Sequence, residues 1–355
     1  MTHHKQYMQR CIQLAQKGAG YTAPNPMVGA VLVYDNMIIG EGWHQQYGEA
    51  HAEVNCIRQA IQNGHTNELQ HSTLYVSLEP CAHFGKTPPC ADLIIKHQLP
   101  KVVIGCRDPF TEVNGKGAEK LKAAGVEVTV GVLKKECEEL NKRFFTFHQK
   151  QRPYIVLKWA QTKNKKIAAP INPLASAAQR LFICNNFTNR LVHQWRSEEA
   201  SILVATNTAL MDDPQLTNRY SNGKQPVRLL LDKELRVPSS AKLMNDDAAT
   251  IIFNYHKHQE QGQPEYYKIA ENASAVHQII NALYQKNIQS VLVEGGSKLL
   301  QSFIDEGLWD EARVITNEEL IVDEGLNSPV LQNHQQIGED QILSDTLKVY
   351  RNLKS

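Results

Sequence analysis

The sequence predicts two successive α/β domains, and three observations carry that reading. Apolar runs of strand length alternate with segments of helical spacing through residues 1–147. A polar, proline-ended stretch, 148–153, then interrupts the pattern with the composition of a linker. The alternation restarts at Tyr154, giving a second domain over 154–355, and 355 residues suffice for two cores.

Taken in order, Met8, Cys11, Ile12 and Ala15 recur at helical spacing, and Gly18 and Gly20 stop that helix. Ala23-Pro24-Asn25-Pro26 is a rigid turn, because each proline fixes its own φ and pushes its predecessor to extended geometry. Residues 28–34 and 37–42 read as a hairpin of two strands, and 51–63 as a helix with Val54, Ile57 and Ile61 facing the core. A buried strand is expected over 73–78, and a cysteine-bearing loop leaves its C-terminal end. Helices over 90–96, 116–124 and 134–147 then alternate with strands over 102–105 and 126–130. In the second domain, strands are expected over 154–160, 202–206, 227–231, 250–253, 290–293 and 312–315. Helices are expected over 191–199, 275–285 and 298–305, with 164–180 and 255–268 as loops.

Composition narrows the function. A formal charge of +1 argues against a broad surface for nucleic acid or anionic membrane, either of which needs a strongly basic face. Seven scattered cysteines, an odd number, do not form a disulfide framework. Cys11, Cys56, Cys106, Cys137 and Cys184 read as small buried hydrophobes. No apolar signal core follows the first residues, and no apolar run approaches the ~20 residues that span a bilayer, so a reducing cytoplasm is expected.

The chemistry concentrates in Glu79-Pro80-Cys81-Ala82-His83-Phe84-Gly85-Lys86-Thr87-Pro88-Pro89-Cys90 and, upstream, His51-Ala52-Glu53. His51, Cys81 and Cys90 form a His/Cys/Cys set for zinc, and three protein ligands leave a position where water can be made more acidic. His51 and Cys90 both sit at expected helix starts, where thiolates are favoured. Glu53 stands two residues after His51, suited to take a proton from water and deliver it to a departing amine. The His-x-Glu and Pro-Cys pieces match the nucleobase-deaminase signature, but eight residues rather than two separate the cysteines. That longer loop places His83, Lys86 and backbone N–H groups where they suit a phosphate. Asn25, on its rigid turn, suits a hydrogen bond to a ring or ribose, and His44 is a weaker phosphate or ribose candidate.

At these residues the sequence resembles the bifunctional riboflavin-biosynthesis deaminase/reductase family. The resemblance rests on Ala23-Pro24-Asn25-Pro26-Met27-Val28-Gly29, Gly48-Glu49-Ala50-His51-Ala52-Glu53, the loop from Leu78 to Cys90 with its eight-residue gap, Arg107-Asp108-Pro109 and Gly115-Lys116-Gly117. It implies a cytidine-deaminase-like three-layer α/β domain followed by a dihydrofolate-reductase-like α/β domain. It further implies hydrolysis of the 2-amino group of 2,5-diamino-6-(5-phosphoribosylamino)-4(3H)-pyrimidinone, then reduction of the ribosyl group to ribityl with NADPH. By the same resemblance His51, Cys81 and Cys90 would bind Zn2+, Glu53 would be the general acid/base, and Asn25, His44, His83 and Lys86 would contact the substrate.

In the second domain, residues 290–300 read as strand, glycine pair and helix, with Ser297 as a cap and the helix start favouring an anion. Together with Thr206-Asn207-Thr208-Ala209-Leu210-Met211-Asp212-Asp213-Pro214 this resembles the family's reductase domain. The resemblance implies a cofactor site at Ala160, Phe182, Thr208, Asp212, Gly296 and Ser297, and substrate contacts at Arg196, Leu216, Arg219 and Glu294. Two stretches depart from the family. Lys163-Asn164-Lys165-Lys166 stands where an Asp-Gly pair is usual, and Arg180 and Phe182 lie where a small or polar residue and a tryptophan are common.

Two other readings compete. One is a monofunctional pyrimidine deaminase whose second domain is a weak or inactive reductase. The other is a zinc-stabilised nucleic-acid-binding module, which the neutral charge and the lack of a basic-aromatic stripe disfavour. The residues carry no signal for oligomeric state, which leaves open a homo-oligomer through the second domain.

Overall fold

A computed structural model of the chain describes residues 2–84, 88–110, 114–169, 181–220 and 223–355. The chain divides into two compact units, Met1–Gln151 and Arg152–Ser355. No helix among the described residues is long and apolar enough to cross a membrane.

The first unit runs α1 (Thr2–Gln16), β1 (Gly29–Tyr34), β2 (Met37–Trp43), α2 (Ala52–Gln62), β3 (Thr73–Leu78), α3 (Cys90–Lys96), β4 (Lys101–Cys106), α4 (Lys116–Ala123), β5 (Glu127–Val130), α5 (Lys134–Leu140) and α6 (Lys142–Lys150). Its sheet has the order β2-β1-β3-β4-β5. β1 is antiparallel to β2 and β3, while β3, β4 and β5 are parallel. The strands are apolar on both sides because helices cover both faces, as parallel sheets require. Cys56, Ile57, Ala91, Ile94 and Leu121 pack on one face, and Met8, Cys11, Ile12, Cys137 and Phe144 on the other. The result is a three-layer α/β/α unit.

Two expectations need correction here. Ile61 does not face the core; it is 38% exposed, and Ala60 takes the inward position. The buried face of α2 is Ala52, Cys56, Ile57 and Ala60, and Ala60 packs closely on Gly40 of β2, where an added Cβ would lie 2.8 Å from its methyl. The expected single helix over 134–147 is two helices, divided at Asn141. The Asn141 side chain accepts from the Met27 N–H and donates to the Met27 carbonyl, both at 2.8 Å, which ties the helix break to the proline turn.

The second unit runs β6 (Tyr154–Thr162), β7 (Lys166–Ala168), α7 (Asn186–Glu198), β8 (Ser201–Ala205), α8 (Thr206–Asp212), β9 (Val227–Leu231), β10 (Thr250–Asn254), β11 (Glu265–Lys268), α9 (Ala275–Gln285), β12 (Ser290–Val293), α10 (Ser297–Asp305), β13 (Glu311–Asn317), β14 (Leu326–Asn327), β15 (His334–Ile342) and β16 (Asp345–Asn352). A nine-stranded sheet has the order β11-β10-β9-β8-β12-β6-β13-β16-β15. Strands β11 to β13 along that order are parallel, and β13-β16-β15 closes it as an antiparallel meander. Phe303, Leu300, Ile279 and Leu283 of α9 and α10 pack on one face around Trp309, and Val192 and Trp195 of α7 on the other.

The stretches 164–180 and 255–268, read as loops, contain the short strands β7 and β11. The β15–β16 hairpin also escapes the hydrophobic pattern, since β15 is polar and exposed along most of its length.

Candidate active sites

In the first unit, His51 is the N-cap residue of α2 and makes no side-chain cap bond, so its imidazole is left for other partners. Cys90 opens α3, and its backbone N–H donates to the Cys81 sulfur at 3.3 Å. Cys81 follows β3 by three residues. These elements bring His51 Nδ1 to 3.7 Å from Cys81 Sγ and 3.3 Å from Cys90 Sγ, and all three ligand atoms lie within 4.8 Å of one another. The Cys90 hydrogen bond, and then His51, hold the Cys81 thiol far below its ordinary range, at about 4. A thiolate, a second thiol and an imidazole at this spacing fit zinc. Among the described residues no further His, Cys, Asp or Glu joins the group, so the set is the three-ligand kind that leaves a position for water.

Glu53 lies in the first turn of α2, two residues after His51, and is only 3% exposed. Burial raises its carboxyl above the ordinary range, partly opposed by His51. A carboxyl poised in this way can both accept and return a proton.

Asn25 and His44 form a relay behind the site. The His44 Nδ1–H donates to the Ala50 carbonyl at 3.1 Å, which leaves Nε2 to accept from Asn25 Nδ2 at 3.2 Å. The His44 ring also meets His51 edge-on at 5.5 Å. His83 stands in the loop after Cys81, its buried Nδ1 without a hydrogen-bond partner and its ring 6.3 Å from Phe110. Lys86 lies outside the described residues.

Sequence reasoning overlooked two residues that position this site. Asn141, described above, pins Met27 beside the Asn25 turn. Glu79 is buried and accepts from the N–H groups of Gly115 and Ala118, both at 3.0 Å, so it fixes the start of the cysteine loop to the N-terminus of α4. A glutamate directly before Pro80-Cys81 was visible, but nothing local showed that its partners lie about forty residues on.

In the second unit a cavity of about 2230 Å³ opens at the C-terminal ends of β6, β8, β9 and β12, where open α/β sheets place their ligands. The expected cofactor residues Ala160, Phe182, Thr208, Asp212, Gly296 and Ser297 line it, and so do Arg196, Leu216, Arg219 and Glu294. A volume above the ~300–1,000 Å³ of a single small-molecule site suits a dinucleotide with a second ligand. Gly296 takes φ +72°, and no side chain caps α10, so the first N–H groups of that helix remain for an anion. Ser297 is not the cap that the sequence predicts: Gly296 holds the cap position, and the Ser297 hydroxyl donates to the Asn327 carbonyl at 2.9 Å. The chain's residues therefore fit an anionic dinucleotide.

Glu294 is the electrostatic centre of the cavity. Its carboxylate takes a two-pronged hydrogen bond from Arg196, at 2.9 and 2.6 Å, and lies 4.0 Å from Lys158. Burial alone would raise its pKa, but Arg196 and Lys158 outweigh that and hold it at about 2. Lys158 and His193 also line the cavity and were missed in the sequence, Lys158 because it sits inside an apolar strand. Burial, then Arg196 and Arg219, keep His193 neutral down to about 4, and its Nδ1 accepts from the Arg219 backbone N–H at 3.2 Å. The divergent 163–166 stretch still closes its turn. Asn164 accepts from the Thr162 hydroxyl at 2.7 Å and donates to the Val322 carbonyl at 2.8 Å, with Lys165 in the left-handed region. Arg180 lies outside the described residues.

Fold and sites together define a zinc-type nucleobase deaminase joined to a dihydrofolate-reductase-like reductase. Comparison with known proteins agrees at every level. Residues 1–106 match the cytidine and deoxycytidylate deaminase zinc-binding region, and residues 153–320 match the RibD C-terminal domain. The riboflavin biosynthesis protein RibD of Aquifex aeolicus is 41% identical over 332 residues, which cover 91% of this chain and 89% of that protein. The deaminase/reductase structure from Thermotoga maritima superposes with a TM-score of 0.84 at 35% identity, covering 99% of each chain. One form of the Acinetobacter baumannii RibD structure gives a TM-score of 0.89 at 30% identity over the same share of both chains.

This chain belongs to the RibD family of riboflavin biosynthesis. It is a bifunctional enzyme, a deaminase in its first unit and a reductase in its second, with zinc and NADPH as cofactors. The reading as a deaminase with an idle second domain is not favoured, because both domains are present.

Proposed function

We propose that the first unit deaminates a diaminohydroxyphosphoribosylaminopyrimidine, the substrate class that names the Thermotoga maritima relative. The observation that carries this reading is the convergence of His51, Cys81 and Cys90 beside buried Glu53. His51, Cys81 and Cys90 hold the zinc, which when bound makes water a nucleophile near neutral pH. Glu53 takes one proton from the attacking water and passes it to the amine as ammonia leaves. Asn25, held by His44, presents its free carboxamide oxygen to the pyrimidine or ribose. His83 and Lys86 receive the phosphate.

The second unit then reduces the 5-amino-6-(5-phosphoribosylamino)uracil product, again the substrate named for that relative. NADPH, when bound, would supply the hydride that reduces C1′ of the ring-opened ribosylamine, a C1′=N imine whose nitrogen takes the balancing proton. Arg196, ordered by Glu294, and Arg219, whose backbone is ordered by His193, face the substrate and its phosphate. Ala160, Phe182, Thr208, Asp212, Gly296 and Ser297 hold the cofactor, which this cavity can accommodate together with the substrate.

Metal content tests the first half of this reading. The purified chain should carry one zinc per chain. Cys90→Ser should lose zinc and deamination together while NADPH binding is unchanged. Full deamination by zinc-free protein would overturn the assignment.

A further inference from the structure

We propose that Arg236 selects NADPH over NADH by receiving the 2′-phosphate on the cofactor's adenosine ribose, an inference that rests on the reductase reading above. The direction of the cofactor follows from strand order. Glu294, directly after β12, with Arg196 of α7 and Lys158 of β6 gathered on its carboxylate, marks the nicotinamide end. The uncapped start of α10 follows β12 and suits the pyrophosphate. β8 lies next to β12, and β9 next to β8. A dinucleotide anchored in this way carries its adenosine past β8 to the end of β9.

The residues waiting there are Asp232, Lys233, Glu234 and Arg236. A free carboxylate at such a strand end hydrogen-bonds the ribose 2′-hydroxyl of NADH, whereas an arginine accommodates the 2′-phosphate of NADPH. Both carboxylates are already engaged. Asp232 is 1% exposed and accepts from the Thr206 hydroxyl at 3.0 Å and the Val237 N–H at 2.8 Å. Glu234 is bonded to His256 at 2.9 Å. The two neighbouring lysines are engaged too: Lys233 lies over the Tyr255 ring at 5.4 Å, and Lys242 pairs with Asp213 at 3.2 Å. Arg236 differs from them. It is exposed, lines the cavity, and donates to Asn207 Oδ1 at 3.3 Å, with no carboxylate paired to it among the described residues. Asn207 sits in the first turn of α8, so the bond aims the guanidinium over the end of β8. The fork of N–H groups that remains fits a phosphate in two-pronged geometry.

The test is a binding titration on the full chain with NADPH, NADH, 2′,5′-ADP and 5′-ADP, comparing wild type with Arg236→Ala and Arg236→Lys. Arg236→Ala should weaken NADPH and 2′,5′-ADP by about 10- to 100-fold, the range of a charge-assisted contact, and leave NADH and 5′-ADP within about twofold. Arg236→Lys should fall between, since it keeps the charge and loses the fork. Equal weakening of both dinucleotides, unchanged NADPH affinity in Arg236→Ala, or a wild type that binds NADPH and NADH alike would overturn the proposal and leave the reductase reading standing. A wild type that binds neither dinucleotide would overturn both. Arg236 is exposed, so unaltered thermal melting should accompany these changes.

Discussion

Glu53→Gln is expected to keep its zinc and lose deamination by about a thousandfold, within the 10²–10⁴ range of general acid–base catalysis. The substitution preserves size and hydrogen bonding in the first turn of α2 and removes only the proton carrier. It leaves His51, Cys81 and Cys90 in place, so zinc content should match wild type. The second unit is untouched, so the variant should still oxidise NADPH when given the deaminated intermediate. Ammonia release, metal analysis and NADPH absorbance check the three parts. Near-full deamination by a zinc-loaded variant would refute the assignment of Glu53.

Glu294→Gln is the second large effect. The carboxylate side chain is 6% exposed and balances Arg196 at 2.6 Å and Lys158 at 4.0 Å. Removing its charge leaves two cations facing each other in a cavity wall. Breaking a buried pair from one side costs about 3–5 kcal/mol. Reductase activity should collapse and thermal stability should fall, while deamination persists.

The pH dependence has a definite sign. Glu294 is held at about 2 in the folded protein against an ordinary 4.5. Its contribution is therefore complete above pH 4.5 and fades as pH falls toward 2. Wild type should lose that increment on acidification, and the variant should lack it. Thermal melts from pH 7 to pH 2.5 check this, and a variant that melts like wild type throughout would show that the pair contributes nothing.

What could be read in the sequence was what is local. His51-Ala52-Glu53 and Pro80-Cys81 announce a metal and a proton carrier because a helix start and a strand end carry them within a few residues. The strands of the two large sheets were visible wherever burial made them apolar, as in β3, β9 and β12. What stayed hidden depends on contacts distant in sequence. Asn141 reads as a poor helix residue until its two bonds to Met27, 114 positions away, are seen. Glu79 reads as one more charge until it caps α4. Lys158 interrupts an apolar strand for no local reason, and its reason is Glu294. The β15–β16 hairpin was missed because an exposed edge strand need not alternate polar and apolar residues. The lysine-rich turn after β6 departs from its family by sequence, yet Asn164 and Lys165 close a tight turn there.

One polypeptide is expected to perform both reactions in order. The direct measurement follows ammonia and NADPH together after purified protein meets the diaminopyrimidine substrate. Without NADPH, ammonia should be released to completion. On adding NADPH, one equivalent should then be oxidised per ammonia formed. Ammonia release with no subsequent NADPH oxidation would contradict it.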